Sequence, residues 1–370
     1  SDYKMWQPRL GMSWTPNGDA KKVLRADAGI YYGRVPGLTL ASTRSTNGSL
    51  GQSVFRSSAF NPPCPDGSPS LPAYPNLIPQ SCVGSPFDPD VYVFDKHFQN
   101  PRTTSASVSW EQEFIKDYAF LVKYNHAKGD HITRFINRND PLLGSPWSSG
   151  LGADGSNGIG TLWTVESSAR SRYDGVTLGI TKRPSHNLQF QINYTYSKDK
   201  SDDDNERDPF TLRYASITDL AAEYGYSDRD QRHRVNSWLL WNAPMGLDLN
   251  VRYAYRSAQP LSLGVNGLPA ATPQDRCLPV SGGGLPCSAG AIQRNLGRKD
   301  NQYSSFDLRL TRPFAYAGMT IEPALDVFNL FNSKNFVRPE VTSLIFNFDG
   351  TIRSGAGDPR QMQLGVRVVW

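Results

Sequence analysis

The sequence is dominated by a two-residue alternation of apolar and polar side chains, which is the period of a β-strand with one face buried. Residues 188–197 alternate without error. Complete or looser versions of the pattern occur at 10–14, 24–30, 106–110, 118–124, 176–180, 235–241, 247–256, 306–311, 319–327 and 362–370, of which 235–241 is apolar on both faces and ambiguous. The pattern predicts an all-β chain of about eleven strands.

The connections between these strands alternate between short and long. The short ones lie near 15–19, 116–117, 184–187, 243–246 and 313–318, and the long ones cover roughly 33–102, 129–169, 201–228, 258–300 and 334–359. Compact soluble domains rarely hold structureless loops longer than ~12–15 residues. All five long connections lie on the same side of the strand ladder, as in transmembrane antiparallel β-barrels with tight periplasmic turns and long extracellular loops.

The sequence excludes proteins that cross the membrane with helices, and its charge distribution does not suggest a nucleic-acid-binding protein. The longest unbroken apolar run is residues 118–122, whereas a membrane-spanning helix needs ~20 apolar residues. Lys and Arg total 39 against 34 Asp and Glu, and the excess is spread along the chain. A nucleic-acid protein would show a basic patch or stripe.

The charged residues of the predicted strands fall on the polar positions of the alternation. They are Arg25, Asp27, Glu111, Glu113, Lys123, Asp248, Arg252, Arg256, Asp307, Arg309, Glu322, Asp326 and Arg367. On a lipid-facing surface near the midplane each Arg or Lys would cost ~2–4 kcal/mol, whereas in a wet lumen the cost is small. A half-solvated sandwich would also keep charge off its apolar face. The asymmetry of the loop lengths is therefore the feature that favours the barrel over the sandwich.

Asp230, Arg232 and Arg234 are predicted to share one lumen-facing side, opposite Val235 and Leu239. They form either a structural ion-pair cluster or a substrate contact, and both alternatives stay open. Residues 201–206 could bind calcium through clustered oxygens, but they lack the spacing of an EF-hand, and a solvated loop is the alternative. No catalytic motif occurs, and the five histidines are scattered. Neither a metal nor a cofactor is expected.

Four cysteines form two local pairs, Cys64 with Cys82 and Cys277 with Cys287, each within one Pro/Gly-rich connection. An even count in local pairs favours disulfides and an oxidising compartment. A bridge that closes ~10–20 residues contributes about 3 kcal/mol in the loop-entropy model. Such bridges would hold long surface loops over the mouth of the barrel.

Strand direction predicts that the chain continues upstream. The terminal strand follows a long connection, and eleven strands make an odd number, whereas single-chain bacterial barrels have an even number. Because open sheet edges cannot sit in hydrocarbon, an odd number of earlier strands is expected before residue 1.

Four segments together resemble the TonB-dependent outer-membrane receptors of the Oar-like group. Residues 8–14 with 24–33 resemble an internal hairpin of that family, and 230–234 resemble the start of a late strand. Residues 326–332 resemble the penultimate strand, and 358–370 resemble the terminal strand with its final aromatic, Trp370. The matches occur in the family's order and span the chain.

The resemblance implies that residues 1–370 are the C-terminal part of a 22-stranded barrel in the bacterial outer membrane. It also implies an upstream plug domain, a segment that contacts the inner-membrane TonB complex, and a carboxypeptidase-regulatory-like domain. Trp370 would be a recognition signal for the barrel assembly machinery; an ordinary interfacial anchor is the alternative.

The implied function is ligand capture by extracellular loops and TonB-coupled uptake through a plugged barrel, without enzymatic chemistry. The ligand is open among iron chelates, oligosaccharides and peptides. Two other functions remain: a surface adhesion or scaffold barrel, and a secreted soluble β-protein that binds glycans. Extraction without detergent would identify the soluble protein.

Overall fold

The computed structural model describes residues 5–18, 21–47, 63–64, 66–69, 75–76, 90–146, 159–204, 214–337, 355–356 and 359–370. The strands within them are β1 (Arg9–Trp14), β2 (Lys22–Tyr32), β3 (Val91–Phe94), β4 (Arg102–Ile115), β5 (Tyr118–Asn137), β6 (Leu162–Ser185), β7 (Leu188–Ser201), β8 (Gly225–Tyr226), β9 (His233–Ala243), β10 (Leu247–Arg256), β11 (Pro260–Leu261), β12 (Gly297–Arg298), β13 (Tyr303–Thr311), β14 (Phe314–Tyr316), β15 (Met319–Phe328), β16 (Phe336–Val337), β17 (Gly355–Ala356) and β18 (Gln361–Val369). One α-helix, α1, spans Gly37–Ser45.

Eleven of these strands form a single antiparallel wall in which each strand pairs with the next along the chain. The order is β1-β2-β4-β5-β6-β7-β9-β10-β13-β15-β18, with β14 pairing to β15 as well. The wall contains all eleven predicted strands, including the ambiguous 235–241, which lies within β9. The all-β prediction is therefore confirmed, and the fold fits part of a barrel.

Two strands are much longer than their alternation predicted. β5 has 20 residues and β6 has 24, although ~9–11 suffice to cross a membrane. The connection predicted at 129–169 is therefore shorter, because strand residues occupy both of its ends. The extra residues mix polar side chains with buried apolar ones such as Phe135, Ile136 and Val165, and the pairing of β5 with β6 shifts register at Gly129–Ile132 and Ile132–Arg134. Backbone pairing therefore extends the strands where the side chains show no regular alternation.

The short connections are tight hairpin turns. His186 and Asn187 have φ values of 52° and 60°, and Ala317 and Gly318 have 49° and 78°. Two successive positive φ values are typical of the type I′ turn, whose twist matches that of the flanking strands. These turns define the short-turn end of the wall, opposite the long-loop end.

Cross-strand register sorts the wall's side chains onto two faces, because directly paired residues point the same way. One row of direct partners, on the apolar face, consists of Trp14, Leu24, Trp110, Val122, Leu178, Tyr194, Val235 and Tyr255. The adjacent row, on the polar face, consists of Ser13, Arg25, Ser109, Lys123, Thr177, Thr195, Arg234 and Arg256.

Dense packing occurs at the long-loop end rather than along the wall. The largest fully buried side chains among the described residues are Arg276, Ile136, Glu223, Val165, Thr39, Thr133, Asp230, Pro260 and Ser201. On the apolar face, by contrast, Leu10 is 79% exposed and Leu364 is 83% exposed. Soluble monomers rarely expose contiguous apolar patches above a few hundred Å², so this face is suited to lipid.

Small elements organise the long connections. β3 pairs in parallel with β6 and contacts α1, while β8 pairs with the end of β7. β11 pairs with β12, and β16 pairs with β17. In the described residues, no helix has both the length and the apolar character needed to cross a membrane.

Candidate functional site

The strand-borne residues predicted to face the lumen share the polar face of the wall. They are Arg25, Asp27, Glu111, Glu113, Lys123, Arg234, Arg252, Asp307, Arg309, Glu322, Asp326 and Arg367. Several pair within the face: Arg25 Nη1 lies 3.0 Å from Glu111 Oε2, Arg309 Nε lies 3.4 Å from Asp326 Oδ1, and Arg367 Nη1 lies 3.4 Å from Glu322 Oε2. These exposed pairs contribute little stability.

Two arginines at the long-loop end of this face have no acidic partner among the described residues. Arg234 on β9 and Arg256 on β10 are direct cross-strand partners, an arrangement that is destabilising for like charges. They line a recess of about 520 Å³ together with Arg229, Gln231, Asn236 and Gln259. Arg229 Nη2 lies 3.7 Å from Asp204 Oδ1, outside the lining. The described lining itself therefore offers hydrogen-bond donors and the positive charge of Arg234 and Arg256 without a carboxylate.

Of the predicted trio, Asp230 and Arg232 stay together as an ion pair, with Arg232 Nη2 3.9 Å from Asp230 Oδ2, while Arg234 lies apart from them. Asp230 is fully buried and accepts hydrogen bonds from Arg298 Nη2 at 2.6 Å and from the backbone N–H of Asp199 at 2.9 Å. The Arg232 guanidinium lies over the Tyr226 ring, 4.5 Å from its centroid, and its Nε and Nη2 have no hydrogen-bond partner among the described residues. Arg234 alone lines the recess.

Above the recess, the described parts of two long connections, 202–232 and 257–302, form what we term the loop cap. Its centre is an ion pair between Glu223 and Arg276, in which Arg276 Nη2 lies 2.6 Å and 2.7 Å from the two carboxylate oxygens. Both side chains are at most 2% exposed. Glu223 also accepts a hydrogen bond from the backbone N–H of Ala215 at 2.9 Å, so one buried carboxylate fixes the start of its own segment and ties that segment to the other one.

A second pair joins the loop cap to the end of β7. Arg294 Nη1 donates to Asp204 Oδ2 at 2.8 Å, and Arg294 Nη2 donates to the carbonyl of Ser201 at 2.6 Å. Tyr214 donates a hydrogen bond to Asp203. Burial, with the nearby Asp203 charge adding to it, raises the pKa of Tyr214 well above 10.

The predicted disulfide between Cys277 and Cys287 is present in the loop cap, with the two Cα atoms 4.7 Å apart. The carbonyl of Cys287 accepts a hydrogen bond from Ser216 Oγ at 3.0 Å, so the bridged loop docks on the other cap segment. Cys64 is buried and disulfide-bonded, while its predicted partner Cys82 lies outside the described residues.

The described part of the acidic run at 201–206, the candidate calcium site, contacts cationic side chains. Asp202 Oδ2 lies 3.2 Å from Arg134 Nη2 and 3.5 Å from Arg170 Nε, and Asp204 pairs with Arg294. Asn205 and Glu206 lie outside the described residues. No group of three or more His, Cys, Asp or Glu side chains that could hold a metal occurs in the described part of the chain.

Comparison with known proteins now identifies the family. The family model for an outer membrane beta barrel domain matches residues 1–256. The chain belongs to this family of outer-membrane β-barrel domains. It is accordingly a protein of the bacterial outer membrane. A comparison of the sequence with curated proteins finds no match.

Two solved outer-membrane proteins share the fold of the barrel domain. It matches the outer membrane transporter YddB from Escherichia coli with 11% identity and a TM-score of 0.58, and the ferric enterobactin receptor PfeA from Pseudomonas aeruginosa with 12% identity and a TM-score of 0.54. Each match covers 98% of this chain and 40% of the other. The predicted resemblance is thus confirmed for the outer-membrane barrel fold. The Oar-like subgroup stays a prediction.

The sequence did not reveal the residues that organise the long-loop end of the barrel domain. Glu223, Arg276 and Arg294 lie in connections without periodicity, and each finds its partner between 53 and 90 residues away. A charged residue in a loop is normally read as solvated, so no local signal marked these three as buried. The site they organise holds a basic recess beneath structured loops, which is suited to binding.

Proposed function

We propose that this domain is the barrel portion of an energy-coupled receptor-transporter that captures a ligand at its long-loop, extracellular end. The observation that carries the proposal is the basic recess between the polar face and the loop cap, which Arg234 and Arg256 line from the wall and Arg229 lines from the cap. A ligand held by the loops would contact these side chains on entering the lumen. The mechanism is binding and gated passage, without bond chemistry.

The polar face would form part of the lumen wall in the complete barrel. The two edge strands, β1 and β18, have no second wall neighbour among the described residues, and open edges cannot face hydrocarbon. We propose that upstream strands close the barrel to 22, that a plug domain fills it, and that the TonB complex moves the plug. The chain spans 40% of the length of the transporter and the receptor described above, which leaves room for these parts.

Two further roles are part of the proposal. Trp370 is 93% exposed at the end of the terminal strand, where the barrel assembly machinery could engage it. The ligand would be an iron chelate, an oligosaccharide or a peptide. The matched receptor from Pseudomonas aeruginosa is described as a ferric enterobactin receptor, which makes ferric chelates the first class to test.

The test compares growth of the source bacterium with and without the full-length gene when iron chelates, oligosaccharides or peptides limit growth in turn. We expect a defect in one medium, reproduced by loss of TonB and by the double variant Arg234→Gln with Arg256→Gln. Arg183→Gln with Arg312→Gln, which removes the same charge at the short-turn end, is the matched control. Normal growth in all three media, together with reduced surface attachment, would instead show an adhesion barrel.

A further inference from the structure

The apolar face ends, at the long-loop side, in a band of positive charge that the transport proposal does not use. Successive rows of direct cross-strand partners on this face run from Val122, Leu178 and Tyr194, through Tyr124, Val176 and Tyr196, to His126, Asp174 and Lys198, and then to Lys128, Arg172 and Lys200. The register is continuous across these rows, so all of them point away from the polar face. The face therefore changes from aliphatic to aromatic to cationic within six residues of β6.

The last row places three cations side by side on neighbouring strands. Lys128 is the direct partner of Arg172, which is in turn the direct partner of Lys200. Like charges directly opposite one another destabilise a sheet. With Arg102 and Lys198 these residues form what we term the cationic patch.

Acidic residues balance only part of this charge. Asp130 lies 3.0 Å from Lys128 Nζ and 3.3 Å from Arg102 Nη2, and Asp174 lies 2.7 Å from Arg172 Nε. Two carboxylates thus serve the five cations of the patch. Lys128 and Arg172 remain 56% and 59% exposed, so their charged ends can still reach an external anion.

The height of the patch matches that of lipid headgroups. Leu178 is the centre of the apolar stretch of β6 between Lys182 and Asp174, and Arg172 lies six residues beyond it, about 20 Å along a strand. A strand tilt of ~40° reduces this to about 15 Å along the membrane normal, just beyond half of the ~25 Å apolar band. Tyr124 and Tyr196, 43% and 37% exposed, lie between the two levels, where aromatic belts occur.

We propose that the cationic patch is a binding site for the phosphate groups of an anionic outer-leaflet lipid, whose acyl chains lie along the apolar face below. The lipid is favoured over a soluble phosphate because the cations are continuous with the apolar rows. The site is on the opposite side of the wall from the recess, so lipid binding is independent of the transported ligand.

The experiment titrates the full-length protein, delipidated in a mild detergent, with lipid A and with dephosphorylated lipid A that carries the same acyl chains, and reads bound lipid by native mass spectrometry. Lys128→Gln, Arg172→Gln and Lys200→Gln are combined in one variant. The matched control combines Lys21→Gln, Lys116→Gln and Arg183→Gln at the short-turn end. We expect lipid A binding to weaken on the order of 100-fold in the patch variant only. Each basic residue near an anionic surface strengthens binding by roughly fivefold, and the patch variant removes three of them.

Three outcomes would overturn the proposal. Equal affinity for the phosphorylated and dephosphorylated lipids would show that acyl chains alone are bound. Equal loss in both triple variants would show a general charge effect. Competition by inorganic phosphate at the concentration of the lipid would show a soluble-anion site. Far-ultraviolet circular dichroism of the variants, expected to be unchanged because glutamine preserves the strand ladder, separates lost binding from lost folding.

Discussion

The wall and the loop cap are stabilised in opposite ways. In the wall, apolar side chains such as Leu178 stay accessible on the apolar face, and order comes from backbone pairing between neighbours in sequence. In the loop cap, charged groups are the most deeply buried, and Glu223 and Arg276 meet across 53 residues. The comparison shows that a membrane wall can rely on lipid to cover its apolar surface, whereas loops in water must build their own interior.

Breaking the central ion pair of the loop cap is expected to produce the largest difference in stability between the loop cap and the wall. Glu223→Gln leaves Arg276 as a buried unpaired cation, which costs about 3–5 kcal/mol. Hydrogen exchange of the full-length protein should become fast in 214–232 and 257–302 and stay slow in 188–197. Glu111→Gln, which breaks the exposed pair with Arg25, is the control. Unchanged protection in the cap would refute the comparison.

The two faces of the wall should respond differently to the same charge. Leu178→Arg on the apolar face is expected to lower the free energy of unfolding in lipid vesicles by ~2–4 kcal/mol. Thr177→Arg, on the next residue and the opposite face, should cost much less because the polar face is wet. Equal costs for both substitutions would contradict the assignment of the faces.

Removing the disulfide should loosen the cap and spare the wall. Cys277→Ser with Cys287→Ser releases a link between residues ten apart, worth about 3 kcal/mol in the loop-entropy model. Limited proteolysis should then cut within 277–290 under conditions in which the parent protein resists. If reductant makes the parent protein no more sensitive than before, the bridge has no role in the cap.

Alkaline pH is expected to destabilise the loop cap reversibly, through ionisation of Tyr214. The pKa of Tyr214 is raised by burial, so the folded cap favours the neutral phenol. Its stabilisation is present below pH ~10, the ordinary tyrosine value, and is lost as pH rises above that value through the folded pKa. Hydrogen exchange in the cap should accelerate there, and Tyr214→Phe should remove this component of the acceleration. An identical pH profile in the variant would show that Tyr214 is not the group responsible for the acceleration.

The smallest effect is expected from the exposed ion pairs of the wall. Arg367→Gln removes the pair with Glu322, whose side chain is 27% exposed while that of Arg367 is 74% exposed. Such pairs contribute ~0–1 kcal/mol. The midpoint of urea unfolding should therefore hardly move. A shift as large as that of Leu178→Arg would mean that charge on the polar face matters far more than the comparison allows.

The wall could be predicted from sequence and the loop cap could not, for one physical reason. Strand alternation is local, so residues 188–197 indicate β7 without reference to any other segment. The extended ends of β5 and β6, where the register shifts and the alternation is lost, were not indicated by it. The buried pairing of Glu223 with Arg276 depends on two distant loops packing together, and nothing near either residue distinguishes it from a solvated charge. Of the loop cap, the sequence indicated only contacts that are local in sequence, namely the Cys277–Cys287 bridge and the pairing of Asp230 with Arg232.

The tie between Glu223 and Arg276 also restricts how the sequences of the two long connections can diversify. Surface loops normally vary in sequence more than the elements they connect and tolerate insertions and deletions. Here a substitution of Glu223 or of Arg276 leaves the other residue as a buried, unpaired charge. Viable variants must therefore change both residues together or change only the exposed residues around them. Natural variation in 214–232 and 257–302 should therefore be correlated at these two positions and unconstrained at exposed neighbours such as Leu268 and Leu285.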